Sequence, residues 1–226
     1  MVRSALLDVL ARAGQLNGPT DQVRVAVYKF SNRLTVVQAP TTNLSAATTA
    51  VRTMELDGAG GSGTNYAAVL NDILPQVSAG GDGSSSASRK AYFMLLTDGI
   101  ADDVMETADA SSYEWGNWVP DPRWVPFQPS FLADGENLQG LDASLCSPIK
   151  NKKVTVLTLN IDYVIPPNPD WRFQTIRDKL KGSINQNMNA CASAANLTFN
   201  AGAPGSIKQA INTMFDAILA SARLTR

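Results

Sequence analysis

The chain is 226 residues long, 44% hydrophobic and 17% charged, with 19 basic against 20 acidic side chains. That length and apolar share suit one globular domain, and a formal charge of −1 leaves no excess positive field for gripping nucleic acid. With no histidine and only two cysteines, Ser-His-Asp triads, Cys-His pairs and caged zinc are excluded, leaving carboxylate, hydroxyl and backbone chemistry.

Leu6, Leu7, Val9 and Leu10 form a helical stripe that ends near Gly14. With Arg3 and Asp8 inside it, this opening reads as amphipathic rather than as a secretory signal. No stretch approaches the ~20 continuous apolar residues of a membrane span. Val23, Val25, Val27 and Phe30, then Leu34, Val36 and Val37, predict two strands turning at Ser31-Asn32. Residues 43–54 predict a helix capped by Asn43 or Ser45. Residues 65–77 predict another, striped by Tyr66, Val69, Leu70, Ile73 and Leu74.

The Gly/Ser-rich residues 79–88 predict a mobile loop. It leads into Ala91-Tyr92-Phe93-Met94-Leu95-Leu96, apolar on both faces and therefore expected as a central parallel strand running into Thr97-Asp98-Gly99. Over residues 101–134 the periodicity dissolves. Pro120, Pro122, Pro126 and Pro129 alternate with Trp115, Trp118, Trp124 and Phe127, predicting a long surface insertion. Beyond it come a helix over 138–150, a buried strand over 154–159, helices over 171–181 and 186–195, and a short strand over 197–199. The last helix is expected to be capped by Ser206, with Ile207, Ile211, Met214, Phe215, Ile218 and Leu219 on one face. Helices alternating with buried strands predict an α/β domain whose mostly parallel sheet is covered on both faces.

Ligands of open α/β sheets bind beyond the carboxyl ends of the strands. Two residues fall there: Asp98 after a buried strand, and Thr64 where the Gly-rich residues 58–63 enter a helix. Together they offer a carboxylate and a hydroxyl to a hard, oxygen-seeking ion such as Mg²⁺. The plainer alternative makes Thr64 an N-cap and Asp98 a turn residue. Gly58, Gly60 and Gly63 spell the dinucleotide fingerprint, but the preceding text is helical, and no Lys precedes Thr64 as a phosphate loop requires. Asp82-Gly83-Ser84-Ser85-Ser86 matches D-x-S-x-S by letter, yet it stands before a strand instead of after one. Cys146 and Cys191, if bridged, would close a loop worth about 4 kcal/mol and imply an oxidising compartment; two buried thiols are the alternative that composition leaves open.

Val25 to Phe30 followed by Ser31, then Gly63-Thr64-Asn65-Tyr66, then Leu95-Leu96-Thr97-Asp98-Gly99, resemble successive motifs of von Willebrand factor type A domains. Leu145-Cys146, Ile149-Lys150 and the strand at 154–159 narrow the likeness, with Asn189-Ala190-Cys191-Ala192, Phe199-Asn200-Ala201 and the closing Ala222-Arg223-Leu224-Thr225. They resemble TadG-like proteins of the bacterial tight-adherence (Flp) pilus assembly systems. The resemblance covers nearly the whole chain.

It implies one three-layer α/β/α domain over residues 1–226, with the Pro/Trp-rich insertion at about 101–134. It implies a metal-ion-dependent adhesion site in which Thr64 and Asp98 are two ligands of Mg²⁺, Mn²⁺ or Ca²⁺. The Asp-x-Ser-x-Ser group of such sites has no counterpart, because the chain opens inside the helix that should follow it. The first, central strand is therefore expected to be missing, leaving a gap between buried neighbours and an incomplete site. An upstream segment is expected to supply that strand and a membrane helix.

The implied function is non-enzymatic: a protein-binding domain on the periplasmic or extracellular face of the cell envelope. Its partners would be pilus-assembly or envelope components, and contact with the membrane would come only through a segment outside this chain. The alternatives are a type A scaffold without metal that uses residues 115–131 for protein contacts, and a nucleotide-binding enzyme built on residues 58–63.

Overall fold

The computed structural model describes residues 1–16, 23–55, 64–85, 87–102, 138–169 and 171–223. The amphipathic opening is α1 (Val2–Leu16), which buries Ala5, Leu10 and Ala13. The expected hairpin follows, with β1 (Val25–Phe30) antiparallel to β2 (Leu34–Thr41). Its turn is closed by the Ser31 N–H donating to the Arg33 carbonyl. Of the two expected caps for α2 (Leu44–Thr53), Asn43 is the one used: its side chain accepts the Ala46 N–H at 2.9 Å, satisfying a first-turn donor. α3 (Tyr66–Ile73) is shorter than its stripe suggests. Pro75 has no N–H to extend the ladder, and residues 74–76 form a turn.

β3 (Ala91–Thr97), β6 (Val154–Ile161) and β7 (Thr198–Ala201) make a parallel sheet in the order β3-β6-β7. Between the first two lie β4 (Ile100–Asp102) and β5 (Leu138–Gly140), paired antiparallel from Ile100↔Gly140 to Asp102↔Leu138. The body of the predicted insertion, with its tryptophans and prolines, lies outside the described residues.

Several expectations are corrected here. The helix predicted from residue 138 begins instead as β5, then a 3₁₀ turn (Ala143–Cys146) and α4 (Ser147–Asn151). Asp142 starts that turn by accepting the Ser144 N–H at 2.8 Å. The two helices predicted over 171–195 are one run that ends sooner: α5 (Trp171–Thr175), a π turn (Ile176–Leu180) and α6 (Lys181–Cys191). Ser206 is not the cap of α7 (Pro204–Arg223); it lies within the first turn, and its hydroxyl donates back to the Ala203 carbonyl at 2.6 Å. The loop at 79–88 is closed by Asp82, whose Oδ1 accepts from the Ser84 N–H (2.9 Å), the Ser84 hydroxyl (2.7 Å) and the Ser88 hydroxyl (2.7 Å). The small polar residues of this loop supply those donors.

The sheet feeds two cores. Val154 and Val156 of β6 face one with α3, α4 and α6, while Leu157 and Leu159 face the other with α1 and α7. Cys146 and Cys191 are joined, their Cα atoms 5.3 Å apart, so the turn before α4 is tied to the end of α6. β3 bonds in parallel to β6 over its full length, as expected; among the described residues no ladder joins it to β1, and the described strands fall into three pieces, β1-β2, β3-β6-β7 and β4-β5. Its apolar text reports helices above and below, which is independent of whether a strand lies beside it.

Candidate metal-binding site

The start of α3 spans the carboxyl ends of β1 and β3. The Asn65 N–H donates to the Ser31 carbonyl at 3.1 Å, just past β1. One residue on, the Tyr66 hydroxyl shares a 2.6 Å hydrogen bond with the Thr97 hydroxyl, the last residue of β3. The Tyr66 ring also lies 6.2 Å from that of Phe30, centroid to centroid. Thr64 immediately precedes this junction and Asp98 immediately follows β3, so both predicted residues stand at the same end of the strands.

Their local roles differ from the plain alternative in one case and match it in the other. The cap of α3 is Asn65, whose side chain accepts the Ala68 N–H at 2.9 Å. Thr64 therefore lies ahead of the cap, half-buried, with its hydroxyl outside the first-turn hydrogen bonding. Asp98 does serve the turn: its Oδ1 accepts the Ile100 N–H at 3.1 Å, across Gly99 at φ +75°. Replacing Asn65 by Ala should cost about 1 kcal/mol and lower the melting temperature by roughly 2–4 °C, whereas Thr64→Ala without metal should change it by less than about 1 °C. Metal-free melting curves with the reverse ranking would show that Thr64 is the cap.

Asp98 sets the electrostatics of the junction. Burial pushes the Tyr66 phenol far above its ordinary value, and the neighbouring Asp98 charge pushes it further. The same two causes, in the same order, raise the phenol of Tyr163 in the loop after β6. Both phenols stay protonated at neutral pH and present hydroxyls instead of charged ligands. The pattern of apolar residues placed Tyr66 only in a core stripe; the available signal was a hydroxyl that must find a partner once buried. Tyr163, in a proline-rich stretch, carried no comparable signal.

Among the described residues no three Asp, Glu, His or Cys side chains cluster to hold a metal. One carboxylate and one hydroxyl still fit Mg²⁺, which keeps several waters and requires few protein ligands. The Asp82 loop lies at the opposite end of β3, where the Gly81 N–H donates to the Arg89 carbonyl. The glycine fingerprint at 58–63 lies outside the described residues.

No family model matches the chain, and no curated protein matches it in sequence. Solved structures do match it in shape. The vWF domain of the type V pili tip protein Mfa5 from Porphyromonas gingivalis gives a TM-score of 0.60 at 12% identity, covering 98% of this chain and 88% of that one. The chain has the von Willebrand factor type A fold. The pilus adhesin SpaC from Lactobacillus rhamnosus GG, in its open conformation, gives 0.58 at 17% identity, covering 96% of this chain but 27% of SpaC. Proximal thread matrix protein 1 from the mussel byssus, described with a zinc-occupied MIDAS motif, gives 0.53 at 12% identity, covering 96% and 43%. Identities this low make the likeness one of fold. Within that von Willebrand factor A fold, Thr64 and Asp98 occupy loops at the carboxyl ends of the strands.

Proposed function

We propose that the chain is a non-enzymatic protein-binding domain of a TadG-like pilus-assembly or adhesion protein of the bacterial cell envelope, with Thr64 and Asp98 helping to hold a divalent cation. The observation that carries this reading is the shared placement of Thr64 and Asp98 at one end of the sheet, around the Ser31–Asn65 and Tyr66–Thr97 hydrogen bonds. The neighbours support it: Mfa5 is a pilus tip protein, SpaC is a pilus adhesin, and the mussel protein carries a metal on this fold. The Cys146–Cys191 bond supports an oxidising, extracytoplasmic setting. No helix among the described residues is long and apolar enough to cross a membrane.

When bound, Mg²⁺, Mn²⁺ or Ca²⁺ would supply positive charge and an exchangeable position for an acidic side chain of the partner protein. Asp98 would contribute a carboxylate and Thr64 a neutral hydroxyl, which together neutralise a divalent charge only in part. Tyr66 fixes the end of β3 through Thr97, and Asn65 fixes the end of β1 through Ser31. Together these bonds hold the loops at a set spacing.

The test is a thermal melt with and without Mg²⁺ or Mn²⁺. For a site of about 1 mM affinity, about 10 mM metal adds roughly 1.4 kcal/mol by mass action, or roughly 3–6 °C. Asp98→Ala should abolish the rise and Thr64→Ala should reduce it. A melting curve indifferent to both metals would remove the cation from this reading and leave a protein-binding scaffold.

A further inference from the structure

Asn160 is the last residue but one of β6 and, at 4% exposure, is buried. Its Nδ2 donates twice, to Asp162 Oδ1 at 3.0 Å and to Asn185 Oδ1 of α6 at 2.9 Å. Its Oδ1 is buried as well, yet has no hydrogen-bond partner among the described residues. Buried polar groups are satisfied in the large majority of cases, and an orphan points to a water or an ion that the group was placed to meet. One end of this amide is saturated while the other has nothing to accept.

Oxygen atoms gather around the saturated end. Asp162 lies two residues beyond Asn160 and so projects from the same face of the strand. Its N–H donates to the Ala201 carbonyl at 3.0 Å, which carries the β6-β7 pairing past Ile161 and fixes the root of the side chain. Its second oxygen, Oδ2, lies beside Gly202, where a Cβ would stand only 3.1 Å from it. Among the described residues Asp162 makes no ion pair. Asn200 of β7 is the register partner of Asn160. Asn185 and Asn200 are exposed and Asp162 is half-buried, so the cluster is closed at its base and open to solvent at its rim.

We propose that Asn160, Asp162 and Asn185 form a calcium site, separate from Thr64 and Asp98, with Asn200 at its rim. The two ends of the Asn160 amide are nearly equal in size, and a half-turn about χ2 exchanges them. Oδ1 then takes the place of Nδ2, 2.9–3.0 Å from an oxygen of Asp162 and one of Asn185. Three oxygens at that spacing repel one another unless a cation lies among them. It is the spacing of neighbouring ligands in a crowded shell whose bonds to Ca²⁺ are about 2.3–2.6 Å long. Amide carbonyls serve Ca²⁺ as carboxylates do, and its flexible shell admits both oxygens of Asp162 together with water. Mg²⁺ demands a near-ideal octahedron and gives up its waters reluctantly, so it suits this set poorly. A single carboxylate sets the affinity near the roughly 0.1–1 mM of extracellular calcium modules.

The test uses the full 226-residue chain carrying Asp98→Ala, which removes the carboxylate of the other site and keeps the two readings apart. About 10 mM Ca²⁺ should raise the melting temperature of this variant by roughly 3–6 °C. Adding Asp162→Ala should abolish the rise and adding Asn185→Ala should reduce it. A second measurement needs no substitution: in nitrogen-proton spectra of the parent chain, Ca²⁺ should shift the side-chain NH₂ resonances of Asn160, whose two hydrogen bonds the half-turn breaks. Mg²⁺ at the same concentration should leave them in place. Absence of a Ca²⁺-induced rise, a rise that survives Asp162→Ala, or Asn160 resonances indifferent to Ca²⁺ would each overturn the site. Equal shifts with both metals would overturn its selectivity for calcium.

Discussion

Replacing both Cys146 and Cys191 by alanine is expected to lower the melting temperature by roughly 8–16 °C. The two residues are 45 positions apart and fully buried, and closing a loop of that length restricts the unfolded chain by about 4 kcal/mol. A chain of this size loses roughly 2–4 °C per kcal/mol. The bond also joins two elements distant in sequence, the turn before α4 and the last residue of α6, both facing the core that contains Ile149, Val156 and Met188. The measurement is a pair of calorimetric scans, variant against parent, repeated on the parent after reduction. Reduction should reproduce the shift of the double variant. A variant melting within about 2 °C of the oxidised parent would show that the bond restrains little.

The second large effect is expected at Gly99, directly beside Asp98. Its φ of +75° is a region that side chains avoid, and a Cβ there would lie 2.6 Å from Cγ2 of Ile184 and 3.7 Å from Cγ of Met188, both in the core. Gly99→Ala therefore combines about 1–2 kcal/mol of left-handed backbone with about 1–3 kcal/mol of overpacking. The corresponding loss is roughly 4–20 °C in melting temperature. Introduced into an Ile184→Ala background, which empties the contested space, the same change should cost only the backbone part, about 1–2 kcal/mol. Equal costs in the two backgrounds would show that Ile184 does not crowd this turn. Because the Asp98–Ile100 hydrogen bond is built across Gly99, Gly99→Ala should also blunt any stabilisation by Mg²⁺.

How much was legible follows from what each signal measures. The hairpin and α7 follow from periodicity, because a strand or helix with one partner surface writes that surface at a fixed repeat; β6 follows from its nearly continuous apolar run, because both its faces are covered. That Thr64 and Asp98 stand at one end follows from strand direction alone. The identity of the α3 cap does not, since Thr64 and Asn65 are adjacent and both residue types cap helices; the choice is made by Asn65 donating its N–H to Ser31 while its side chain accepts from Ala68. The segment at 138–146 was misread for a related reason. Short polar residues and isolated apolar ones take their structure from particular hydrogen bonds, such as those of Asp82 and Asp142, which composition does not encode.

By itself the sequence determined the class of the fold, much of the helical and strand text, and the exclusion of imidazole chemistry. Only the tertiary structure decided that Cys146 meets Cys191 and that Tyr66 reaches Thr97. Local patterns record which faces of an element are covered. Lateral neighbours and cross-chain partners depend on where distant segments come to rest, and those positions are set by packing of the whole.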